Sequence, residues 1–181
     1  MNSYGATAKT LHWLMFLLMA CAFGLAWTFG DMQLSPLKLK LINFHKWTGV
    51  TIFLLVWLRL GWRLFNPPPP LPAMPAWHRR SAEAMHRLLY LFMIVQPVIG
   101  WLMSSAEGVT TVYFGRWPLP NLLAKNKPLG EALSEVHGTL AWIILGFIGL
   151  HVLASLKHHF VDRDDVLARM VPGLKPLRRK S

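Results

Sequence analysis

The chain has 181 residues, 54% of them hydrophobic, with nine Trp and ten Phe, which is too apolar for an ordinary soluble domain of this length. Nineteen Lys and Arg against eight Asp and Glu leave a formal charge of +11. A single cysteine, Cys21, excludes a disulfide framework.

Windows of about 20 mostly apolar residues mark membrane spans. Four stand out, at about 11–30, 45–65, 86–104 and 135–156, followed by a tail, 157–181. They predict one integral-membrane domain, 1–181, all-α, folded as an up-down-up-down four-helix bundle. No stretch is left over for a separate soluble domain, and no repeat recurs at a fixed period. The first span, LHWLMFLLMACAFGLAWTFG, follows Lys9. It is too long for the apolar core of a signal peptide and is read as retained. Trp13 and Trp27 lie near its ends, where aromatic rings favour the membrane interface, and His12 opens it. Residues 31–44 predict a connection with a short surface helix after Pro36.

Span 2, HKWTGVTIFLLVWLRLGWRLF, begins at His45. Arg59 and Arg63 are four apart and share a face. Arg63 reads as an interfacial anchor, whereas Arg59 lies deeper, where an inward cation suits an anionic group. NPPPPLPAMP breaks the helix and predicts a stiff polyproline spacer, more economically than an SH3-type ligand. Span 3 grows out of SAEAMHRLLYLFMIVQPVIGWLMSS, with a kink expected at Pro97. His86 and Tyr90 lie one turn apart in it. His86 is a candidate ligand or quinone contact, and equally an interfacial histidine bonded to Tyr90 or lipid.

The loop AEGVTTVYFGRWPLPNLLAKNKPLGEALSE is long for a structureless connection, and helix 4 is expected to begin outside the bilayer. Span 4 contains HGTLAWIILGFIGLH, with a histidine at each end. Fourteen helical residues rise roughly 21 Å and turn about 1400°, within about 40° of whole turns. His137 and His151 therefore share a face at different depths. KHHFVDRDDVLARMVPGL reads as an interfacial or cytoplasmic helical tail, with His158 seven residues past His151 and back on its face.

The charges orient the chain. Thirteen basic residues flank the N-terminus, the link between spans 2 and 3, and the tail. The opposite loops hold six: Lys38, Lys40, Lys46, Arg116, Lys125 and Lys127. The positive-inside bias places both termini in the cytoplasm. Beside a span, the basic tail reads as a contact for anionic lipid headgroups rather than for nucleic acid.

Antiparallel helices then set His12 and His151 at one depth, and His45 and His137 at the other. Interfacial capping accounts for any one of these histidines, but two pairs, one per membrane side, suit a metal-centred cofactor. Structural zinc wants four ligands, often thiolates, and neither pair offers them. Two axial imidazoles beside an apolar cleft fit haem iron better. There is no C-x-x-C-H, so a haem would be held without covalent attachment.

At these residues the chain resembles the bacterial cytochrome b561 family, small di-haem b-type cytochromes of the inner membrane. The matching stretches are LHWLMF around His12, LINFHKWTGV around His45, HRLLYLFMIVQPVIGW and HGTLAWIILGFIGLH. The ending HHFVDRDDVLARMVP is similar too, and the resemblance covers nearly the whole length. It implies two non-covalent haem b groups, with His12 and His151 as axial ligands on the cytoplasmic side and His45 and His137 on the periplasmic side. Arg59, His86 and His158 are candidates for propionate or quinone contacts.

Iron with both axial positions filled carries electrons and leaves no open site for a substrate. The resemblance further implies a periplasmic donor such as superoxide, a ubiquinone acceptor and the quinone pool as partner. The six opposite-side cations are candidates for steering a small anion. Two other readings stay open: an electron-transfer cytochrome b subunit serving a separate dehydrogenase or hydrogenase partner, and a non-redox membrane scaffold.

Overall fold

The structure is a computed structural model that describes residues 3–70 and 74–177. Part of the proline-rich spacer, 71–73, and the tail cations Arg178, Arg179 and Lys180 lie outside the described residues. Four long helices form the body: α1 (Ala6–Gly30), α2 (Pro36–Phe65), α3 (Ala76–Ala106) and α4 (Lys127–Lys157). Each has the length and apolar composition to cross a membrane.

Two of the helices start well before their apolar cores, and their caps explain why. Ser35 accepts a hydrogen bond from the Lys38 backbone N–H at 3.2 Å, and Pro36 fills the first turn. No break separates this cap from His45, so the short surface helix expected after Pro36 is simply the beginning of α2. Asn126 caps α4 in the same way, accepting from the Leu129 N–H at 3.2 Å. The 31 residues of α4 reach roughly 46 Å, against a hydrocarbon layer of about 30 Å. The helix is therefore longer than that layer is thick. In α3 the helix continues through Pro97. Membrane bundles tolerate such a proline where neighbouring groups satisfy the freed carbonyl.

Packing is uneven. Among the described residues, α1 lies closely against α2, α3 against α4, and α2 more lightly against α3, while α4 has no comparable packing against α1 or α2. The core sits among the first three helices, where Met15, Ile52, Val56 and Met93 interlock. Large apolar side chains such as Leu17, Leu58 and Trp142 face outward instead. That inversion suits a chain whose solvent is lipid, where helices meet through packing and polar contacts rather than hydrophobic burial.

Both ends of the bundle are closed by hydrogen-bonded segments. After α4 the ladder loosens into a π-helical turn, His158–Asp162, and Arg163 in the left-handed region ends it. A short helix, α5 (Val166–Met170), then brings the chain back to the N-terminus. There the Trp13 indole donates to the Met170 carbonyl at 3.1 Å and the Ser3 hydroxyl to that of Arg169 at 3.1 Å.

At the other end, β1 (Val112–Tyr113) and β2 (Trp117–Pro118) pair antiparallel, Val112 opposite Pro118 and Tyr113 opposite Trp117. The reversal uses positive φ at Phe114 and Gly115, as a tight hairpin requires. This hairpin is tied to α2: the Trp47 indole donates to the Val112 carbonyl at 2.7 Å, and the Thr51 and Tyr113 hydroxyls bond at 2.8 Å. Trp101 fixes the following segment through the Pro120 carbonyl at 3.0 Å. The long loop is thus a docked cap. Replacing Trp47 by Phe removes its tether, and limited trypsin digestion of the detergent-solubilised protein should then cut at Arg116 faster, with helical circular dichroism unchanged.

Candidate redox site

Four histidines from three helices meet in two pairs. His45 of α2 faces His137 of α4 with ring centroids 6.2 Å apart and planes crossed at 80°. His12 of α1 faces His151 of α4 with centroids 6.3 Å apart and planes at 63°. Both pairs span the gap that packing leaves between α4 and the α1–α2 hairpin. Helix α4 supplies one ring to each because its two histidines share a face, roughly 21 Å apart along the axis.

The spacing within each pair is informative. A ligating imidazole nitrogen sits about 2 Å from its metal and about 1.1 Å from its own ring centre, so two rings on opposite sides of one ion have centroids roughly 6.3 Å apart. Both pairs match that value. Neither supplies the four donors of a structural zinc site. A planar macrocycle with iron at its centre needs only these two imidazoles and an apolar slot, so the residues present fit a haem at each pair.

The His45–His137 pair has supports of the kind metal-ligating histidines use. The Nδ1 of His45 lies 2.9 Å from the Ala22 carbonyl of α1. A carbonyl can only accept, so Nδ1 carries the proton and Nε2 keeps a lone pair for a metal. The Phe29 ring meets His45 edge-on at 5.5 Å. His137 is held from α3, where the Gln96 amide donates to the His137 backbone carbonyl at 2.9 Å. Next to His45, the Lys46 ammonium donates to the Ser104 hydroxyl, and Ser104 is fully buried.

The His12–His151 pair is more crowded and more cationic. His86 of α3 brings a third imidazole to within 5.3 Å of His151. That is too close for an ion between the two rings, so His86 is a neighbour of the pair rather than a trans partner. Its Nδ1 donates to Ala82, one turn back, at 2.7 Å, so the expected bond to Tyr90 is not made. Tyr90 instead receives the guanidinium groups of Arg59 and Arg63 over its ring, at 5.4 and 5.9 Å.

Arg59 also reaches His12, with Nη2 3.1 Å from Nδ1. A guanidinium only donates, so this contact needs a lone pair on His12 Nδ1. Ligation through a neutral Nε2, with Nδ1 protonated, therefore requires the guanidinium to turn away from the ring. His151 needs no such change, and the Ser155 hydroxyl donates to its carbonyl at 2.9 Å.

His158 does not join either pair. It keeps the α-helical register of α4, its N–H bonded to the Ala154 carbonyl, but its Nδ1 is taken by Asp164 at 2.6 Å. Asp162 lies 3.5 Å from the same nitrogen and is paired with the Lys157 ammonium at 2.7 Å. His158, Asp162 and Asp164 present ligand atoms close enough for a cation, but Lys157 already serves Asp162, and the cluster acts as an ion-paired lock on the end of α4. Gln96 and Gly100 were not singled out by the sequence. The signal that could have found them was their i, i+4 placement on the α3 face opposite His137.

Known proteins point the same way as this geometry. The family described as prokaryotic cytochrome b561 matches residues 3–173. "Cytochrome b561 homolog 2" of Escherichia coli is 32% identical over 170 residues, 93% of this chain and 90% of its own length. "Cytochrome b561 homolog 1" of the same organism is 27% identical over 183 residues, 97% of this chain and 100% of its own length. "Probable superoxide oxidase CybB" of Yersinia pestis is 32% identical over 178 residues, covering 94% of this chain and 97% of the relative. With four membrane-length helices and near-complete coverage, the chain belongs to the prokaryotic cytochrome b561 family, the multi-pass, haem-b-binding, electron-transfer proteins of bacterial membranes.

Proposed function

We propose that the chain binds two haem b groups and carries electrons across the bacterial inner membrane, from superoxide on the periplasmic side to ubiquinone on the cytoplasmic side. The observation that carries this reading is the pair of imidazole pairs at metal-spanning separation, one towards each end of α4. Haem held by His45 with His137, and by His12 with His151, would supply one-electron transfer. The name of the Yersinia pestis relative supports superoxide as donor. Both termini lie in the cytoplasm, in keeping with the thirteen-to-six distribution of basic residues.

The chain's own residues then have separable tasks. His45 and His137 hold the donor-side group, with Ala22 fixing the tautomer of His45. His12 and His151 hold the acceptor-side group. Arg59, once turned from His12, is the nearest cation for a propionate or a quinone oxygen. Two superoxide ions each give up one electron and leave as dioxygen, and one quinone takes both electrons with two cytoplasmic protons. His86 and the Asp164-paired His158 are the candidates for passing those protons.

On the periplasmic side the cations lie at different depths. Lys46 is held against Ser104 beside His45. Lys38 donates to the Met32 carbonyl at 2.6 Å, and Lys127 pairs with Glu131 at 3.7 Å. Lys40 lies 5.8 Å from the Phe44 ring centre.

A pyridine haemochrome assay on the purified chain should give about two non-covalent haems. Changing any one of the four histidines to Ala should remove the haem of its own pair. Superoxide should reduce ubiquinone with this chain alone, whereas intact haem without that turnover would point to a chain that needs a separate catalytic partner. Neutralising Lys38, Lys40 and Lys125 together should slow superoxide oxidation and flatten its dependence on ionic strength. An unchanged rate would remove electrostatic steering. Replacing Arg59 by Leu takes a positive charge from His12 and should lower the midpoint potential of one haem, because a nearby cation favours the reduced iron.

A further inference from the structure

We propose that Gln96 and Gly100 form a seat on α3 that sets the orientation and basicity of the His137 imidazole, making both of them positioning residues for the donor-side redox group. This rests on the reading of His137 as an axial ligand.

The two residues lie one turn apart on α3, on the face that packs against α4. Gly100 provides the floor. A Cβ built on it would come to 3.0 Å from Cε1 of His137, 3.4 Å from Nδ1 and 3.9 Å from Nε2. Three ring atoms therefore lie against the bare backbone of one residue, and any side chain there would push the imidazole off its present plane. On α4, a Cβ at Gly138, Gly146 or Gly149 would meet nothing within 4 Å, and one at Gly130 would meet Glu107 at 3.1 Å rather than an imidazole. Gly100 is thus marked out by contact with the ring rather than by helix packing in general.

Gln96 provides the wall. Its Nε2 donates to the His137 carbonyl at 2.9 Å, which fixes the amide and leaves Oε1 as its free acceptor. Oε1 is buried and has no hydrogen-bond partner among the described residues, and the same is true of His137 Nδ1. The two orphans are complementary. An imidazole that binds metal through Nε2 carries a proton on Nδ1 and must donate it. The amide oxygen on the neighbouring helix can only accept. A bond between the two, direct or through one water, would satisfy both atoms.

The partner ring achieves the same end differently. His45 is oriented by the Ala22 backbone carbonyl, an acceptor that no substitution of a side chain removes. His137 depends on a side-chain amide and on a missing side chain. The crossed planes, at 80°, are therefore held by one fixed device and one that sequence can tune. A helix-bridging glutamine that merely glues α3 to α4 is the competing role, and it affects stability without affecting the metal.

The test compares Gln96→Leu, Gln96→Glu and Gly100→Ala in the full haem-loaded chain, with His137→Ala alongside. Haem content, resolved midpoint potentials and low-temperature EPR of the ferric state are read. Gln96→Leu removes the acceptor, makes His137 a poorer donor to iron and should raise the midpoint of one haem only. Gln96→Glu supplies a stronger acceptor and should lower that same midpoint. Gly100→Ala should change the low-spin EPR signal of that haem by rotating its ligand plane. Shifts of the same sign for Leu and Glu, or retention of both haems with unchanged midpoints, would overturn the proposal. Loss of haem in Gly100→Ala leaves the decision to the two Gln96 variants. Should His137→Ala keep both haems, the ligand reading itself fails, separately from the seat.

Discussion

The bilayer gives a polar side chain no water to fall back on, and that constraint orders this molecule. An imidazole inside an apolar layer must find a partner in the protein or at a bound group. His45 finds a backbone carbonyl of α1 and His86 one of its own helix, while His137 rests against Gly100 beneath an amide. Helix hydroxyls follow the same rule by bonding back along their helices, as Thr48 does to Phe44 and the buried Ser105 to Trp101. Two of the buried atoms left without a hydrogen-bond partner among the described residues, Gln96 Oε1 and His137 Nδ1, lie at the His45–His137 pair.

The same constraint explains the uneven packing. Helices in lipid gain little from burying apolar side chains against one another, so the interlocked core of Met15, Ile52, Val56 and Met93 stays small. It joins α1, α2 and α3 and leaves α4 fastened mainly through α3. The gap that results is where both pairs face each other. A bundle packed uniformly on all four sides would bring the rings too close for a macrocycle. The hairpin cap and the returning tail close the two ends by backbone hydrogen bonds instead of by a larger core.

Much of this was legible because the relevant signals are periodic. Fourteen residues between His137 and His151 return to one helix face, and antiparallel order sorts His12 and His45 to opposite depths. The pairings follow from those two facts, and the structure brings the same residues together. Features that depend on side-chain reach were not legible. No spacing shows that Arg59 turns to His12, or that Tyr90 collects two guanidinium groups rather than His86. The start of α2 at Pro36 was hidden because amphipathic turns before a span resemble a separate surface helix, and only the Ser35 cap shows continuity. His158 does keep the helical register that sets it on the face of His151, but no spacing shows that the chain turns back after the π-turn and sets Asp164 on its ring.

The two ends of the bundle differ in electrostatic character, and the difference has a direction. Around His45 and His137 the near neighbours are acceptors, the Ala22 carbonyl and the Gln96 amide oxygen. Lys46 is close by, with its ammonium donating to the Ser104 hydroxyl. Around His12 and His151 the near neighbours are Arg59 on the ring and Arg63 across Tyr90, with no carboxylate in contact with either guanidinium among the described residues. Acceptors on ligand nitrogens favour oxidised iron, whereas cations favour reduced iron, and in a low-dielectric layer both effects are stronger than in water. Were both pairs to hold haem, these surroundings would leave the iron between His12 and His151 the more readily reduced of the two. The asymmetry is built from helices that differ in two respects, backbone carbonyls and an amide at one end and paired arginines at the other. It needs no difference in the ligands themselves.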